Sequence, residues 1–144
     1  MVTLREVTAD NVRAVCRLEV KPGQERFVAP AAVSVAQAHY DPTSWLRAIY
    51  AGDELVGLVL LAVDDETGSW YLWRFEIAGE HQGKGYGRAS MELVIEHVRS
   101  LPDTTELLLS YEPGPGGPRD FYRRLGFEDT DRWEEGERVM RLTL

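Results

Sequence analysis

The pattern of apolar and polar positions along the chain predicts about seven short strands. Residues 55–63 are strongly apolar and carry several β-branched side chains, as a strand requires. Residues 106–111 are apolar at their centre, which predicts a position inside the sheet. The predicted strands are residues 2–7, 46–51, 55–63, 70–78, 106–111, 127–133 and 137–144.

Helical spacing and capping residues predict about four helices between these strands. Asp10 is the expected N-cap of a helix that ends at Leu18, and Ser34 that of a helix that ends at Tyr40. Gly126 is expected to stop the last helix as a left-handed residue. The predicted helices are residues 11–18, 35–40, 86–100 and 119–125. The order β-α-α-β-β-β-α-β-α-β-β indicates a mixed sheet with helices against it, in the α/β or α+β class.

A glycine-rich loop, residues 79–87, joins a predicted strand to the longest helix. Unpaired N–H groups at a helix N-terminus attract an anion, and the helix dipole adds to that attraction. Glycines let the main chain approach a phosphate closely, and Lys84 and Arg88 add positive charge. The loop therefore suits a pyrophosphate. Its alternating glycines are Gly83, Gly85 and Gly87.

The sequence of this loop does not match either of two common nucleotide-binding patterns. The Walker pattern needs Ser or Thr after Lys84, where Gly85 stands, and a glycine at position 78. The dinucleotide pattern G-x-G-x-x-G needs a glycine where Arg88 or Ser90 stands. The alternative of a flexible turn explains one glycine, but it explains three alternating glycines and two cations poorly.

Composition and charge narrow the classes of partner. The chain has 144 residues, of which 44% are hydrophobic and 28% charged, an ordinary balance for one globular domain, residues 1–144. The net charge of −8 argues against nucleic acid as a partner and is compatible with a cationic ligand. No apolar run approaches the roughly 20 residues that span a bilayer, and the N-terminus lacks a signal-peptide pattern. We therefore expect a cytoplasmic protein with no membrane partner.

Cysteine and histidine content gives no sign of a metal site. The single cysteine, Cys16, excludes an intramolecular disulfide, and its apolar neighbours predict a buried core thiol. The three histidines, His39, His81 and His97, are scattered without a ligand pattern. We expect no metal.

Two motifs resemble the GNAT superfamily of N-acetyltransferases. Gln82-x-x-Gly85-x-Gly87 is similar to the [RQ]-x-x-G-x-[GA] signature of that family. Residues 121–127, FYRRLGF, resemble its second hallmark, and the two lie in the expected order. The resemblance covers essentially the whole chain. It implies a mostly antiparallel central sheet, acetyl-CoA as co-substrate and direct attack by an amine in a ternary complex; a homodimer is possible.

Four further stretches resemble bacterial spermine/spermidine acetyltransferases of this superfamily, and they imply a small polycationic amine as acceptor. The stretches are residues 27–30, 47–50, 82–88 and 110–113. One position departs from the family pattern, since Pro115 stands where an asparagine often contacts the cofactor. That side-chain contact is therefore not expected.

Tyr122 and Glu76 are the candidate catalytic residues. The resemblance implies that the phenol of Tyr122 donates a proton to the departing thiolate; the alternative is a packing role beside Phe121 and Phe127. Strict alternation over residues 70–77 places Glu76 on one face with Arg74, where a charge is costly unless paired or functional. Glu76 could be the base, bind the cationic acceptor, pass a proton through water, or only pair with Arg74.

The resemblance also implies the cofactor contacts. Main-chain N–H groups near Glu76 and Ile77 are expected to meet the developing oxyanion. The residues predicted to bind the cofactor are Phe75, Ile77, Gln82, Gly83, Lys84, Gly85, Tyr86, Gly87 and Arg88.

The acceptor is the least defined part of this hypothesis. We expect Glu19 and Glu112, ahead of Glu25 and Glu54, to bind the distal ammonium groups of a polyamine. Another amine, such as an amino sugar, an amino acid or a protein N-terminus, remains open. So does a non-catalytic module that only binds acetyl-CoA.

Overall fold

The long apolar run in the middle of the chain lies in a seven-stranded sheet. A computed structural model describes residues 1–144. The strands are β1 Val2–Glu6, β2 Trp45–Ala51, β3 Glu54–Val63, β4 Trp70–Ile77, β5 Glu106–Tyr111, β6 Glu128–Glu134 and β7 Glu137–Thr143. Their spatial order is β1-β2-β3-β4-β5-β7-β6. All neighbours are antiparallel except β4 and β5, which are parallel.

Four α-helices and two 3₁₀ turns connect the strands in the predicted order. The helices are α1 Val12–Cys16, α2 Ala31–Tyr40, α3 Tyr86–Ser100 and α4 Arg119–Arg124. The 3₁₀ turns cover Glu25–Phe27 and Gly79–His81. The predicted α/β class, strand number and helix number are confirmed. None of the helices combines the length and the apolar content needed to cross a bilayer.

Both predicted N-caps of the first two helices are wrong. The N-cap of α1 is Asn11, not Asp10, and the helix ends at Cys16 rather than Leu18. The α2 helix begins directly after Pro30, and Ser34 lies buried inside it. Pro30 is the N-cap, where its fixed φ of −52° is compatible with entry into the helix and its missing N–H costs no helical hydrogen bond.

Helix α3 covers one face of the sheet. Its buried side chains pack on the inner faces of the central strands, and α4 lies on the same face, since Tyr122 and Phe127 belong to the same cluster. The buried side chains of α3 are Ser90, Met91, Val94, Ile95 and Val98.

The opposite face is covered by α1 and α2 over β2 and β3. Val15, Ala31, Ala48 and Leu58 form a small buried cluster there. Cys16 is only half-buried, so the expected core thiol is wrong. The sheet is thus covered by helices on both sides around β3 and β4.

Candidate active site

Trp73 is an extra residue in β4 that interrupts its pairing with β3. The register passes from Leu61 opposite Leu72 to Leu60 opposite Arg74, so Trp73 has no partner. A bulge of one residue reverses which side chains point to each face of the sheet. The strict alternation predicted for residues 70–77 is wrong for this reason.

Beyond the bulge, β4 and β5 are no longer paired. Their pairing ends at Leu72 opposite Leu109. The last four residues of β4, from Arg74 to Ile77, have partners on β3 alone. A gap therefore opens between β4 and β5 in the middle of the sheet.

The main chain of β4 offers polar groups to this gap. The N–H of Ala78 donates to the carbonyl oxygen of Val56 on β3 (2.8 Å). Because successive N–H groups along a strand point to opposite sides, that of Glu76 also points to β3. Those of Phe75 and Ile77 point into the gap. Of the two N–H groups expected at an oxyanion, the one at Ile77 is thus well placed and the one at Glu76 is not.

The gap opens into a cavity of about 410 Å³. Every residue predicted to act in catalysis or to bind the cofactor lines it, with the exception of Lys84. The cavity runs from β4 past the glycine-rich loop to α4, so the two sequence motifs face the same space. The lining residues from those motifs and from β4 are Phe75, Glu76, Ile77, Gln82, Gly83, Gly85, Tyr86, Gly87, Arg88, Phe121 and Tyr122.

The N-terminus of α3 presents a row of free donors to the cavity. The main-chain N–H groups of residues 83–88 donate no hydrogen bond within the protein, and the first helical bond runs from Ala89 N to Gly85 O (3.2 Å). Gly83 and Gly85 have φ values of +80° and +84°, which glycine tolerates best. Such a row of donors at the positive end of a helix fits a bound phosphate group.

Gln82 holds the loop in place through its side chain. Its Nε2 donates to the carbonyl oxygen of Ile77 (2.9 Å) and to Oε1 of Gln24 (2.8 Å). Gln24 Nε2 donates in return to Gln82 Oε1 (3.1 Å). The side chain thereby fixes the loop to the end of β4 and to the segment between α1 and α2.

The two cations of the loop differ in their surroundings. Arg88 pairs with Glu92 one helical turn later (3.0 Å), while Lys84 forms no ion pair. Gly87 packs beside Phe121, whose ring would lie 3.4 Å from a Cβ at that position. The rings of Phe75 and Phe121 are parallel with centroids 6.0 Å apart, and they form an apolar wall of the cavity.

Glu76 is a buried carboxyl group without a partner. It is 5% exposed, and its Oε1 accepts no hydrogen bond. Burial raises its pKa to about 7. Arg74 does not pair with it, since the Arg74 guanidinium donates to Trp73 O and Gln37 Oε1. The ion-pair alternative is therefore wrong, and Glu76 has the proton affinity of a base that works near neutral pH.

Tyr122 lies in the wall of the same cavity, at the middle of α4. It is 8% exposed and packs edge-on against the rings of Phe121 and Phe127. Burial raises its pKa above the usual value for a phenol. Tyr122 therefore keeps its proton at neutral pH and can act only as a donor there.

The two carboxylates selected for the acceptor do not line the cavity. Glu19 is exposed, and its main-chain oxygen accepts from Gly79 N (2.8 Å). Glu112 Oε1 accepts from Arg26 Nη2 (3.1 Å). Glu76 is the cavity's sole carboxylate.

Several lining residues were not predicted from the sequence as site residues, and they include Gln24, Phe27, Val28 and His81. The first three belong to a polar segment, residues 21–30, whose turn residues predict only a loop. His81 was considered only as a metal ligand. No group of His, Cys, Asp and Glu side chains in the structure is arranged to bind a metal ion.

Comparison with known proteins agrees with this geometry. Residues 6–127 match the Acetyltransferase (GNAT) family. A spermine/spermidine N(1)-acetyltransferase of Bacillus subtilis (strain 168) is 27% identical over 150 aligned residues, covering 96% of each chain.

Two solved structures share the fold. The PaiA N-acetyltransferase of Thermoplasma acidophilum, in complex with coenzyme A, superposes with a TM-score of 0.74 at 13% identity, over 100% of this chain and 99% of that one. An aminoglycoside acetyltransferase in complex with coenzyme A gives a TM-score of 0.80 at 16% identity, over 99% and 95%. The family match spans most of the chain and includes both motifs: this protein belongs to the GNAT acetyltransferase family.

Proposed function

We propose that this protein transfers the acetyl group of acetyl-CoA to a primary amine of a small polycationic acceptor such as spermine or spermidine. One observation carries the proposal: a buried carboxyl group with a raised pKa, a protonated tyrosine and a row of free N–H donors line a single cavity. These are the three kinds of group that acetyl transfer to an amine requires.

The row of donors at residues 83–88 is the proposed site of the pyrophosphate of acetyl-CoA. Its N–H groups have no partner in the protein, and residues 83–88 include no carboxylate that would repel an anion. The main-chain groups of Phe75 and Ile77 lie along the open edge of β4, where an extended arm could add to the sheet like a strand. The thioester would then sit between Glu76 and Tyr122.

The chemistry proceeds by direct attack. Glu76 takes a proton from the ammonium group of the acceptor, and the free amine attacks the thioester carbonyl carbon. The N–H of Ile77 stabilises the oxyanion. As the C–S bond breaks, Tyr122 donates its proton to the thiolate and regains one from the nitrogen of the tetrahedral adduct. The lone cysteine takes no part, since Cys16 lies in α1 and does not line the cavity.

The choice of a polyamine is supported by the Bacillus subtilis relative, which aligns over 96% of both chains, and by the net charge of −8. A second acceptor is favoured by the aminoglycoside acetyltransferase, whose backbone superposes well. Aminoglycosides are also polycationic, so charge alone does not separate the two.

The test is turnover with a panel of amines, measured as release of the coenzyme A thiol. Spermine and spermidine should be acetylated with a higher kcat/KM than aminoglycosides, amino acids or a peptide N-terminus. Turnover of an aminoglycoside but not of spermidine would contradict the polyamine. Binding of acetyl-CoA without turnover of any amine would contradict an enzyme.

A further inference from the structure

His81 is a buried histidine at the inner wall of the cavity that the mechanism above does not use. It ends the 3₁₀ turn Gly79–His81 and is 8% exposed. Its Nδ1 lies 3.6 Å from Glu54 Oε1, and its Nε2 lies 3.5 Å from Glu80 Oε1. Neither nitrogen completes a hydrogen bond, and Nδ1 is buried without a partner. A polar ring without hydrogen bonds in the wall of an active site has a cost that function can explain.

The two glutamates beside His81 reach solvent, whereas Glu76 does not. The side chains of Glu54 and Glu80 are 66% and 82% exposed, while Glu76 lines the cavity with a buried oxygen that lacks a partner. His81 thus lines the same cavity as a buried carboxyl group and lies beside two carboxylates at the surface. The other titratable groups that line the cavity are Tyr86, Arg88 and Tyr122.

Acetyl transfer from a thioester to an ammonium group leaves one proton over in each turnover. The acceptor nitrogen loses two protons, one before attack and one from the tetrahedral adduct, while the thiolate takes up one. The difference must reach solvent before Glu76 can act again. A route through the wall would let Glu76 lose this proton while cofactor and acceptor still occupy the cavity.

We propose that His81 is this route, relaying the surplus proton from Glu76 to the surface at Glu54 and Glu80. A water molecule between Glu76 and His81 accepts the proton from the carboxyl group as it passes one to the imidazole. The imidazole then releases a proton to solvent at the surface beside Glu54 and Glu80. His81 is therefore a positioning residue that acts through Glu76. This rests on the proposed acetyl transfer.

The test compares His81→Gln with the wild-type protein at low buffer concentration. Glutamine keeps a polar side chain but carries no proton near neutral pH. We expect kcat to fall by about 100-fold, the lower end of the range that proton transfer contributes, with KM for acetyl-CoA unchanged. Adding imidazole buffer should restore kcat in proportion to its concentration, because a small base can replace the missing relay. His97→Gln, which alters a ring stacked on Trp45 outside the cavity, should lose no activity and gain nothing from imidazole.

Each outcome bears on the proposal. An unchanged kcat in His81→Gln overturns the relay, and so does a loss that imidazole does not restore. If His81→Gln melts below the assay temperature, the surface variant Glu54→Gln/Glu80→Gln replaces it, and a full wild-type rate at low buffer would overturn the relay. A wild-type protein that turns over no amine would overturn the acetyltransferase proposal itself, and the relay with it.

Discussion

At the scale of single residues, the surroundings of Glu76 dictate a pH dependence. Its pKa of about 7 means that the carboxyl group is half protonated at neutral pH. Since only the carboxylate can take a proton from the acceptor, kcat/KM, which reports ionisations of the free enzyme, should rise with pH and level off above about pH 8. The pH–rate profile of the wild-type protein should show a single ionisation on its acid side.

Glu76→Gln should remove that ionisation and lower kcat by about 100-fold, a typical loss for a general base. Measurement of kcat and kcat/KM against pH for both proteins checks this. A variant that keeps the acid-side ionisation would assign it to another group.

Tyr122 allows a sharper substitution, because phenylalanine keeps the ring and removes only the hydroxyl group. The contacts with Phe121 and Phe127 would remain, so the fold and the KM for acetyl-CoA should change little. We expect Tyr122→Phe to lower kcat by about 100-fold. Steady-state kinetics with acetyl-CoA varied would show it, and an unchanged kcat would mean that the hydroxyl group has no part in the reaction.

At the scale of elements, two glycines with left-handed backbone allow the effect of backbone strain to be measured separately from the effect on cofactor binding. Gly85 has φ +84° at the N-cap of α3, and Gly136 has φ +83° in the turn between β6 and β7. A Cβ would meet no atom within 4 Å at either position, so alanine should cost about 1–2 kcal/mol of stability at both.

Only Gly85→Ala should also weaken acetyl-CoA, by about tenfold in Kd, because it disturbs the row of free N–H groups. Urea unfolding and calorimetric titration of both variants would measure the two effects. Equal affinity in Gly85→Ala and Gly136→Ala would place the pyrophosphate elsewhere.

Local signals in the sequence predicted the order of elements well. Helix α3 and strand β5 have the predicted bounds, since apolar periodicity and the breaker Pro102 act within the element itself. Residues 31–34 were missed as helix because they carry no clear periodicity, although Pro30 marks the start. The bulge at Trp73 depends on pairing with β3, which no local pattern reveals.

Many of the residues that line the cavity could be predicted for a similar reason. Glycines and an aromatic motif leave a signature in the sequence, so the loop and Tyr122 could be found. Glu76 could be identified because a charged side chain inside a covered strand costs free energy. Its unpartnered oxygen and its raised pKa follow from burial that only the fold determines. His81, which packs through tertiary contacts, carried no such signature.

At the scale of the whole molecule, an ion cluster connects the two halves of the sheet. Arg132 on β6 donates to both carboxylate oxygens of Asp64, which follows β3 (2.9 and 3.0 Å), and also pairs with Glu66 and Glu134. Tyr71 beneath it donates to Glu134 (3.2 Å) and packs with Leu108 and Val139. The cluster thus covers an apolar patch on the part of the sheet that α1 and α2, which pack over β2 and β3, leave uncovered.

Asp64→Asn should therefore destabilise the protein in a pH-dependent way. Arg132 lowers the pKa of Asp64 from 3.8 to about 2, so the stabilisation is complete above about pH 4 and is lost as pH falls through about 2. We expect a loss of about 1–2 kcal/mol at neutral pH, measured by urea unfolding. Glu66→Gln is the matched control: its side chain is 69% exposed, so its loss should stay below about 0.5 kcal/mol. Equal losses in both would contradict a special role for Asp64.

The bulge at Trp73 restricts which sequence changes this protein can accept during evolution. Because of this one added residue, every later side chain of β4 points to the opposite face of the sheet from the one that it would otherwise occupy. Deleting Trp73 would exchange the two faces of the rest of β4. Phe75 and Ile77 would leave the face that α3 covers, and Glu76 would point into the core on that face. The chemistry of the cavity thus depends on the presence of a residue that does not line it, so substitutions at position 73 should be tolerated far better than a change in length.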